Sequence, residues 1–311
     1  MRSGRSATTA QTSGASVFFR YDNTPGAILF NIFNIIFLLI LGTATLYPFL
    51  YVFSVSISQM HAVADGQVWL LPVGFELTAF EMIFKSGMIM RSYLNTIYYS
   101  LSGVLMALFL LVITAYPLSL KNFYGRRLVT ILFTVTMFFS GGLIPTYLIV
   151  KGVGFLNTVW ALIVPNAIGV FYLIIIRTNF QNIPISLSES ARIDGANHLR
   201  ILFSLILPLS MPIMATMFLF IIVSRWNSFF EPLIYIKDML RQPLQVILRD
   251  ILVREKFNTV VINWTRQFYK PGMQQVLKAA AVIVSTGPII IVYPFIQRYF
   301  VKGVLIGSIK G

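Results

Sequence analysis

The stretch Ser186–Ala196, SLSESARIDGA, continued by NHLRILFSLILP as far as Pro208, decides how this chain is read. It is a polar island in a chain that is 57% hydrophobic and only 11% charged. Ser186 and Glu189 have the S-x-x-E spacing of a capping box, in which the serine oxygen accepts from one orphan amide while the glutamate reaches back to another. Pro184 stands just upstream, and Gly195 stands where a left-handed cap would stop a helix. The pattern predicts one short, stiff helix over Leu187–Asp194. Asn197 then caps a second helix that runs on through LRILFSLILPLSMPIM. The result is a rigid knob joined to the following segment through a glycine bend. Glu189, Arg192 and Asp194 give it charged edges, and the small residues Ser190, Ala191 and Ala196 allow another surface to approach closely. Two readings fit: a docking knob for a partner, or a capped helix lying on a bilayer. The second accounts poorly for two acids beside anionic headgroups.

The rest of the chain is built for a membrane. Its charged fraction is well below the quarter or so typical of soluble domains, and its mean hydropathy is +0.80. Six apolar segments have spanning length: Ala27–Val55, Tyr93–Leu118, Leu128–Val150, Thr158–Ile176, Ile201–Val223 and Val276–Phe300. They are continuous runs without the polar–apolar alternation of an outer-membrane barrel, so the expected fold is an all-α polytopic membrane protein with six transmembrane helices. Prolines in or near these segments predict kinks. A disordered tail over residues 1–26, a transmembrane domain over 27–300 and a short tail over 301–311 complete the expected organisation.

Sorting the basic residues orients the chain. The formal charge of +14 would suggest a nucleic-acid partner in a soluble protein, but here it has to be read by side of the membrane. With the amino terminus in the cytoplasm, that side receives twelve basic residues: Arg2, Arg5, Arg20, Lys121, Arg126, Arg127, Arg177, Arg192, Arg200, Arg298, Lys302 and Lys310. The two short outer connections hold only Lys85, Arg91 and Lys151. The asymmetry predicts both termini, and the island at 178–200, inside. The long outer connection, about 227–275, holds most of the remaining basic residues and is expected to be partly helical and functional. Within it PLQVILRDILVREKF, Pro243–Phe257, puts Val246, Ile247, Ile251 and Leu252 on one helical face. That face suits a membrane surface and a docking partner equally.

Several kinds of chemistry are missing. There is no cysteine and there are only two histidines, so no metal site is expected. No G-x-x-x-x-G-K-[ST], H-E-x-x-H or G-x-S-x-G occurs, which argues against nucleotide binding by this chain and against catalysis. Acids and bases gather at span ends and loops. Neutral polar residues do lie within spans, and Asn95, Thr134, Ser140 and Asn166 are candidates to line a hydrated path for a hydroxylated solute. Helix–helix hydrogen bonding is the competing role for each. In FFSGGLIPTYL, Phe138–Leu148, paired glycines three residues before a proline predict either an unwound stretch or close helix packing.

The run Glu189-Ser190-Ala191, then Gly195, then Leu205-Ile206-Leu207-Pro208 resembles the E-A-A-x3-G-x9-I-x-L-P motif of binding-protein-dependent ABC importer permeases. Ser190 replaces an alanine and Leu205 an isoleucine. Asp194-Gly195-Ala196 has the form of the carbohydrate-uptake branch, which RYFVKGVLIGSIKG also resembles, and GGLIPTYL is similar to its members for complex carbohydrates. The resemblance implies a type I importer permease fold and a coupling helix that sits on a cytoplasmic ATPase, with Glu189, Ala191 and Gly195 as the matched contact and hinge positions of a coupling loop that also holds Ser186, Ser190, Asp194 and Ala196. It implies as partners a dimer of that ATPase, which would bind the ATP and magnesium, a second homologous permease and an extracytoplasmic solute-binding protein. No cofactor is expected on this chain, whose other surroundings are lipid in a prokaryotic cytoplasmic membrane. The expected function is translocation of a sugar, as an oligosaccharide or polysaccharide fragment, by alternating access. An importer of amino acids, peptides or anions is disfavoured by the Asp-Gly-Ala form and by the lack of deep cationic residues.

Overall fold

The computed structural model describes residues 24–253 and 271–308. In chain order its helices are α1 (Pro25–Ser56), α2 (Met60–Ala64), α3 (Thr78–Lys85), α4 (Gly87–Ser119), α5 (Arg126–Phe138), α6 (Leu143–Gly152), α7 (Trp160–Ile163), α8 (Val170–Gln181), α9 (Ile185–Ile193), α10 (His198–Ile201), α11 (Leu207–Leu209), α12 (Met211–Asn227), α13 (Phe230–Tyr235), α14 (Leu244–Val253) and α15 (Met273–Ser308). A π turn at Leu202–Ile206 joins α10 to α11. Among the described residues the only β pairing is an isolated bridge between Ser58 and Phe75. The all-helical class follows from apolar runs whose backbone groups must be satisfied internally.

Residues through Tyr51 form one unit and Val52 onward another. The first unit holds most of α1, whose sequence carries no charge and whose large side chains, such as Leu29, Phe33 and Leu39, are exposed. A helix that is apolar all round is a membrane span. The expected tail over 1–26 lies, apart from its last three residues, outside the described residues.

Three helices, α1, α4 and α15, are continuous, long and apolar enough to cross a membrane, and two bent pairs bring the number of candidate spans to as many as five. The other expected spans are broken, each for a local reason. Between α5 and α6 the axis turns by 116°. Gly142 there has φ 82° and ψ 177°, a conformation that is essentially confined to glycine, so the paired glycines do unwind the segment. The fifth span bends by 80° at Ser210. Pro208 and Pro212 each lack an amide donor there, and the π turn takes up the mismatch. Thr158–Ile176, expected as one span, is divided between α7 and α8, with Val164–Gly169 non-helical around Pro165. α15 runs on to Ser308, past the expected end at Phe300 and through most of the expected tail at 301–311.

Around α4 the second unit packs into three apolar clusters. One joins α2, α3 and α14 to the start of α15, through residues such as Val63, Ile83, Ile247 and Leu277. A second packs α4 against α8, α10 and α12 through Leu111, Ile176, Leu202 and Met217. A third, smaller one joins α6 and α7 to Tyr235 and Ile236. The apolar face of α14 is as the periodicity implied for Val246, Ile247 and Ile251, which are all buried, while Leu252 is exposed. That face packs into the protein's own core, so neither membrane surface nor partner has it. Trp226 donates to the Ser285 carbonyl at 3.1 Å and ties α12 to α15.

Where the amino end of α15 meets α2 the backbones nearly touch. Gly272 has φ +79°, and a Cβ built there would stand 1.9 Å from the Met60 carbonyl oxygen. Gly66 has a similar φ of +70° with open space around it. Gly272→Ala is therefore expected to destabilise the purified protein by about 3 kcal/mol, from the clash and the left-handed backbone together. Gly66→Ala should cost about 1 kcal/mol from the backbone alone. Thermal unfolding in detergent separates the two. Gly142→Ala should fall between them, at about 2 kcal/mol.

Candidate functional site

α9 begins at Ile185, with Pro184 in the capping position, and ends at Ile193. The expected capping box does not form, because helix geometry starts before Ser186 and places it inside the first turn. No side chain caps this end; proline entering in extended conformation makes the start instead. The other end is as the glycine implied. Gly195, at φ +80°, is followed by a full Schellman closure: its amide donates to the Arg192 carbonyl at 3.0 Å and the Ala196 amide to the Ala191 carbonyl at 2.9 Å. Ala191 and Ala196 both pack inward on the α4–α8–α12 cluster. They are the apolar contact that accompanies such a cap, and each is partly buried. Asn197 caps α10 by accepting from the Arg200 amide at 2.8 Å.

What α9 turns outward is partly charged and partly apolar. Ser186, Glu189, Ser190 and Asp194 are exposed. So are Ile185, Leu187 and Ile193, the last at 87%. Composition had drawn attention to the polar residues of the island, and its exposed isoleucines were missed. Their signal was their position on the far side of the helix from Ala191.

Two bonds fasten the flanks of α9 to the carboxyl end of α4. Arg177, on the last turns of α8, donates to the Leu118 carbonyl at 3.0 Å and so satisfies one of the orphan carbonyls of α4. His198, just beyond the glycine bend, is hydrogen-bonded through Nδ1 to the Tyr116 hydroxyl at 3.2 Å.

At the amino end of α4 a different set of bonds holds the connection after α12. Asn95 donates to the Leu240 and Gln242 carbonyls, Tyr99 to the Arg241 carbonyl, and Thr96 accepts from the Leu244 amide. Asn157, at φ 62°, accepts from the Asp238 amide and from Arg241. Burial pushes the Tyr235 phenol above its ordinary pKa, and the Glu231 carboxylate adds to the effect, so the ring stays neutral in its stack on Tyr147. Asn95 is thus a structural anchor for this connection. Thr96 and Tyr116 are twenty residues apart on one helix, which at 1.5 Å per residue separates the two ends by about 30 Å, the thickness of a hydrocarbon core.

Between them lies a cavity of about 350 Å³ against Ala107 and Leu111 of α4. Asn166, Tyr172, Ser224, Arg225, Ser228 and Glu231 also line it. Arg225 lies against Gly103, whose Cβ position is 3.6 Å from Nε. Its Nη1 donates to the Leu162 carbonyl and its Nη2 to the Asn166 carbonyl at 2.7 Å. In an unbroken helix those carbonyls would have accepted from amides four residues on; the arginine replaces them where the chain unwinds. Glu231 accepts from Asn166 at 2.5 Å and from Ser228 at 3.4 Å. Gly169 makes room for the Tyr172 ring, which would stand 2.7 Å from a Cβ there.

Of the expected path residues, the structure brings only Asn166 to this cavity. Thr134 bonds back to the Thr130 carbonyl of its own helix, and Ser140 is exposed at the break between α5 and α6. Arg225 and Glu231 were missed because both were assigned to the outer connection. The argument that no cation lies deep fails here: Gly103, Ala107 and Leu111 are interior to α4. No group of residues fit to hold a metal ion occurs among the described residues.

Residues 79–306 match the sequence profile of the family described as binding-protein-dependent transport system inner membrane component. The chain is 40% identical over 275 residues to the polygalacturonan/rhamnogalacturonan transport system permease protein YtcP of Bacillus subtilis, covering 88% of this chain and 96% of that one. It is 41% identical to the protein LplC of the same organism, covering 93% and 97%. It also superimposes, with a TM-score of 0.83 and 35% identity over 89% of its length and 98% of the other chain, on a chain from the crystal structure of a bacterial ABC transporter involved in the import of the acidic polysaccharide alginate. The fold is that of a type I ABC importer permease, and the chain belongs to the binding-protein-dependent transport system inner membrane component family.

Proposed function

We propose that this chain is one of two membrane subunits of an ATP-driven importer that carries a saccharide, as an oligosaccharide or polysaccharide fragment, across a prokaryotic cytoplasmic membrane. In this reading the bent pairs and the divided segment bring the spans to six, with both termini in the cytoplasm. The end of α4 that carries Tyr116 then faces the cytoplasm, as the excess of Lys and Arg on that side favours.

The observation that carries the reading is α9: a Schellman-closed helix whose flanks are tied to one transmembrane helix and whose outward face offers Ile185 and Ile193 on either side of Glu189. Exposed apolar residues on a polar loop are a binding surface. Its occupant is a cytoplasmic ATPase dimer, which binds the ATP and magnesium; this chain supplies no catalytic group. A second permease subunit and an extracytoplasmic binding protein complete the assembly. The connection over 228–243, seated on the amino end of α4, is the part of this chain that would face the binding protein. Closing of the ATPases moves α9, α9 moves the end of α4, and the solute path opens alternately to the two sides.

The saccharide assignment draws on the named relatives, among them the maltodextrin transport system permease protein MdxG of Bacillus subtilis, 26% identical over 89% of this chain.

Burying one large aliphatic side chain is worth about 1.5–3 kcal/mol, so Ile193→Glu should weaken retention of the ATPase during purification by about ten- to a hundredfold. Membrane insertion should be unchanged, because Ile193 touches little of its own chain. Wild-type retention in this variant would remove α9 as the docking site. Reconstituted vesicles containing the whole transporter and its binding protein should take up saccharides and not amino acids or peptides; the opposite preference would overturn the substrate class.

A further inference from the structure

The cavity against α4 holds a fixed cation, Arg225, beside Gly103 near the middle of the helix, and a fixed anion, Glu231, which also borders Thr96 and Tyr99 toward the helix's amino end. Charged groups at membrane depth are costly and mark solute pathways. Two observations make this cavity more than a structural clasp. First, a guanidinium has five N–H donors, and the bonds to the Leu162 and Asn166 carbonyls use one on each terminal nitrogen. Those bonds fix the plane of the group and leave donors over. Second, the Glu231 carboxylate accepts one short bond, from Asn166, and one long one, from Ser228; an ionised carboxylate has about four acceptor positions. Donors and acceptors with unfilled capacity converge on one space, over the apolar floor of Ala107 and Leu111 and beside the Tyr172 ring. Its volume of about 350 Å³ lies within the ~300–1,000 Å³ of small-molecule sites.

The chemistry narrows the occupant. Hydroxyl groups donate well to a carboxylate, and such charge-assisted bonds are the strong ones. A guanidinium held in place is complementary to a carboxylate through two parallel N–H bonds. A ring carrying both hydroxyls and a carboxylate matches both charges of the cavity, whereas a neutral sugar leaves the cation with weaker acceptors. We infer that this cavity is a subsite of the solute path that holds one acidic sugar unit in transit, its carboxylate on Arg225 and its hydroxyls on Glu231 and Ser228. The inference rests on the saccharide reading above and adds the place, the contacts and the charge of the sugar. Arg225 is the positioning element of the unwound segment as well, so replacing it would confound folding with binding, and the test avoids it.

The test uses the complete transporter with its binding protein in vesicles, measuring uptake and binding-protein-stimulated ATP hydrolysis side by side. The probes are oligogalacturonates and maltodextrins of matched length. Ser224 lines the cavity and its side chain makes no hydrogen bond among the described residues, so Ser224→Phe should fill it. With oligogalacturonate, Ser224→Phe is expected to lower uptake at least about tenfold while stimulated hydrolysis continues. Glu231→Gln keeps the shape and an acceptor for Asn166, and should lower uptake by about tenfold, the effect of one charge-assisted hydrogen bond. Wild-type uptake in both Ser224→Phe and Glu231→Gln would overturn the subsite. Equal uptake of maltodextrin and oligogalacturonate by the wild type, both blocked by Ser224→Phe, would overturn the role of Arg225 while sparing the saccharide reading. Failure of the wild type to move either probe, with uptake of amino acids or peptides instead, would overturn that reading and the inference with it.

Discussion

The bond pair from Arg225 to the carbonyls of Leu162 and Asn166 is the interaction on which the middle of the molecule depends. Backbone that leaves helical geometry within a membrane keeps its polar groups only where protein or a hydrated cavity can satisfy them. Pro165 and Gly169 break the segment between α7 and α8, and without a donor from elsewhere the freed carbonyls would be orphans at a cost of several kcal/mol. The arginine reaches them from the last turns of α12, passing across Gly103, where the absence of a side chain lets it lie flat on α4. One residue thus joins three elements, and the same residue brings a charge to the wall of the cavity.

The remaining helices are arranged around the same principle of local irregularity compensated elsewhere. Gly142, Pro208 and Pro212 interrupt two apolar segments of spanning length. At the amino end of α4 the compensation is polar: Asn95, Thr96 and Tyr99 give and take hydrogen bonds with the connection over 240–244, between a short 3-10 turn and the start of α14. At the close approach of α15 to α2 it is steric, through the missing side chain of Gly272.

How much of this could be read beforehand depended on whether the signal was local. The glycine stop after α9, the Asn197 cap and the helical face of Val246, Ile247 and Ile251 are encoded within a few residues of where they act and appear as the residues imply; the apolar runs gave the helical class but not where the helices break, and the face of α14 gave its periodicity but not its partner. The capping box at Ser186 and Glu189 fails because the proline before it already starts the helix, and spacing alone does not rank competing starts. Asn95 and Arg225 failed for a different reason. Their partners lie more than fifty residues away in sequence, Leu240 in one case and Leu162 in the other. Nothing within a window around either residue distinguishes an anchor from a path-lining group, or a loop cation from one placed against the middle of a neighbouring helix. Of the polar residues that line the cavity against α4, only Asn166 was legible.

The two ties on either side of α9 have a mechanical consequence. Arg177 and His198 grip the same short stretch of α4, at Leu118 and Tyr116, so the loop is clamped to a rod at two neighbouring points. A clamp of that kind resists rocking: load applied to the knob has no free pivot on which to dissipate as tilt. It is delivered along the axis of α4, and α4 is the helix that floors the cavity with Ala107 and Leu111. Stroke at one end of a stiff shaft becomes displacement at the wall of the chamber some three turns away.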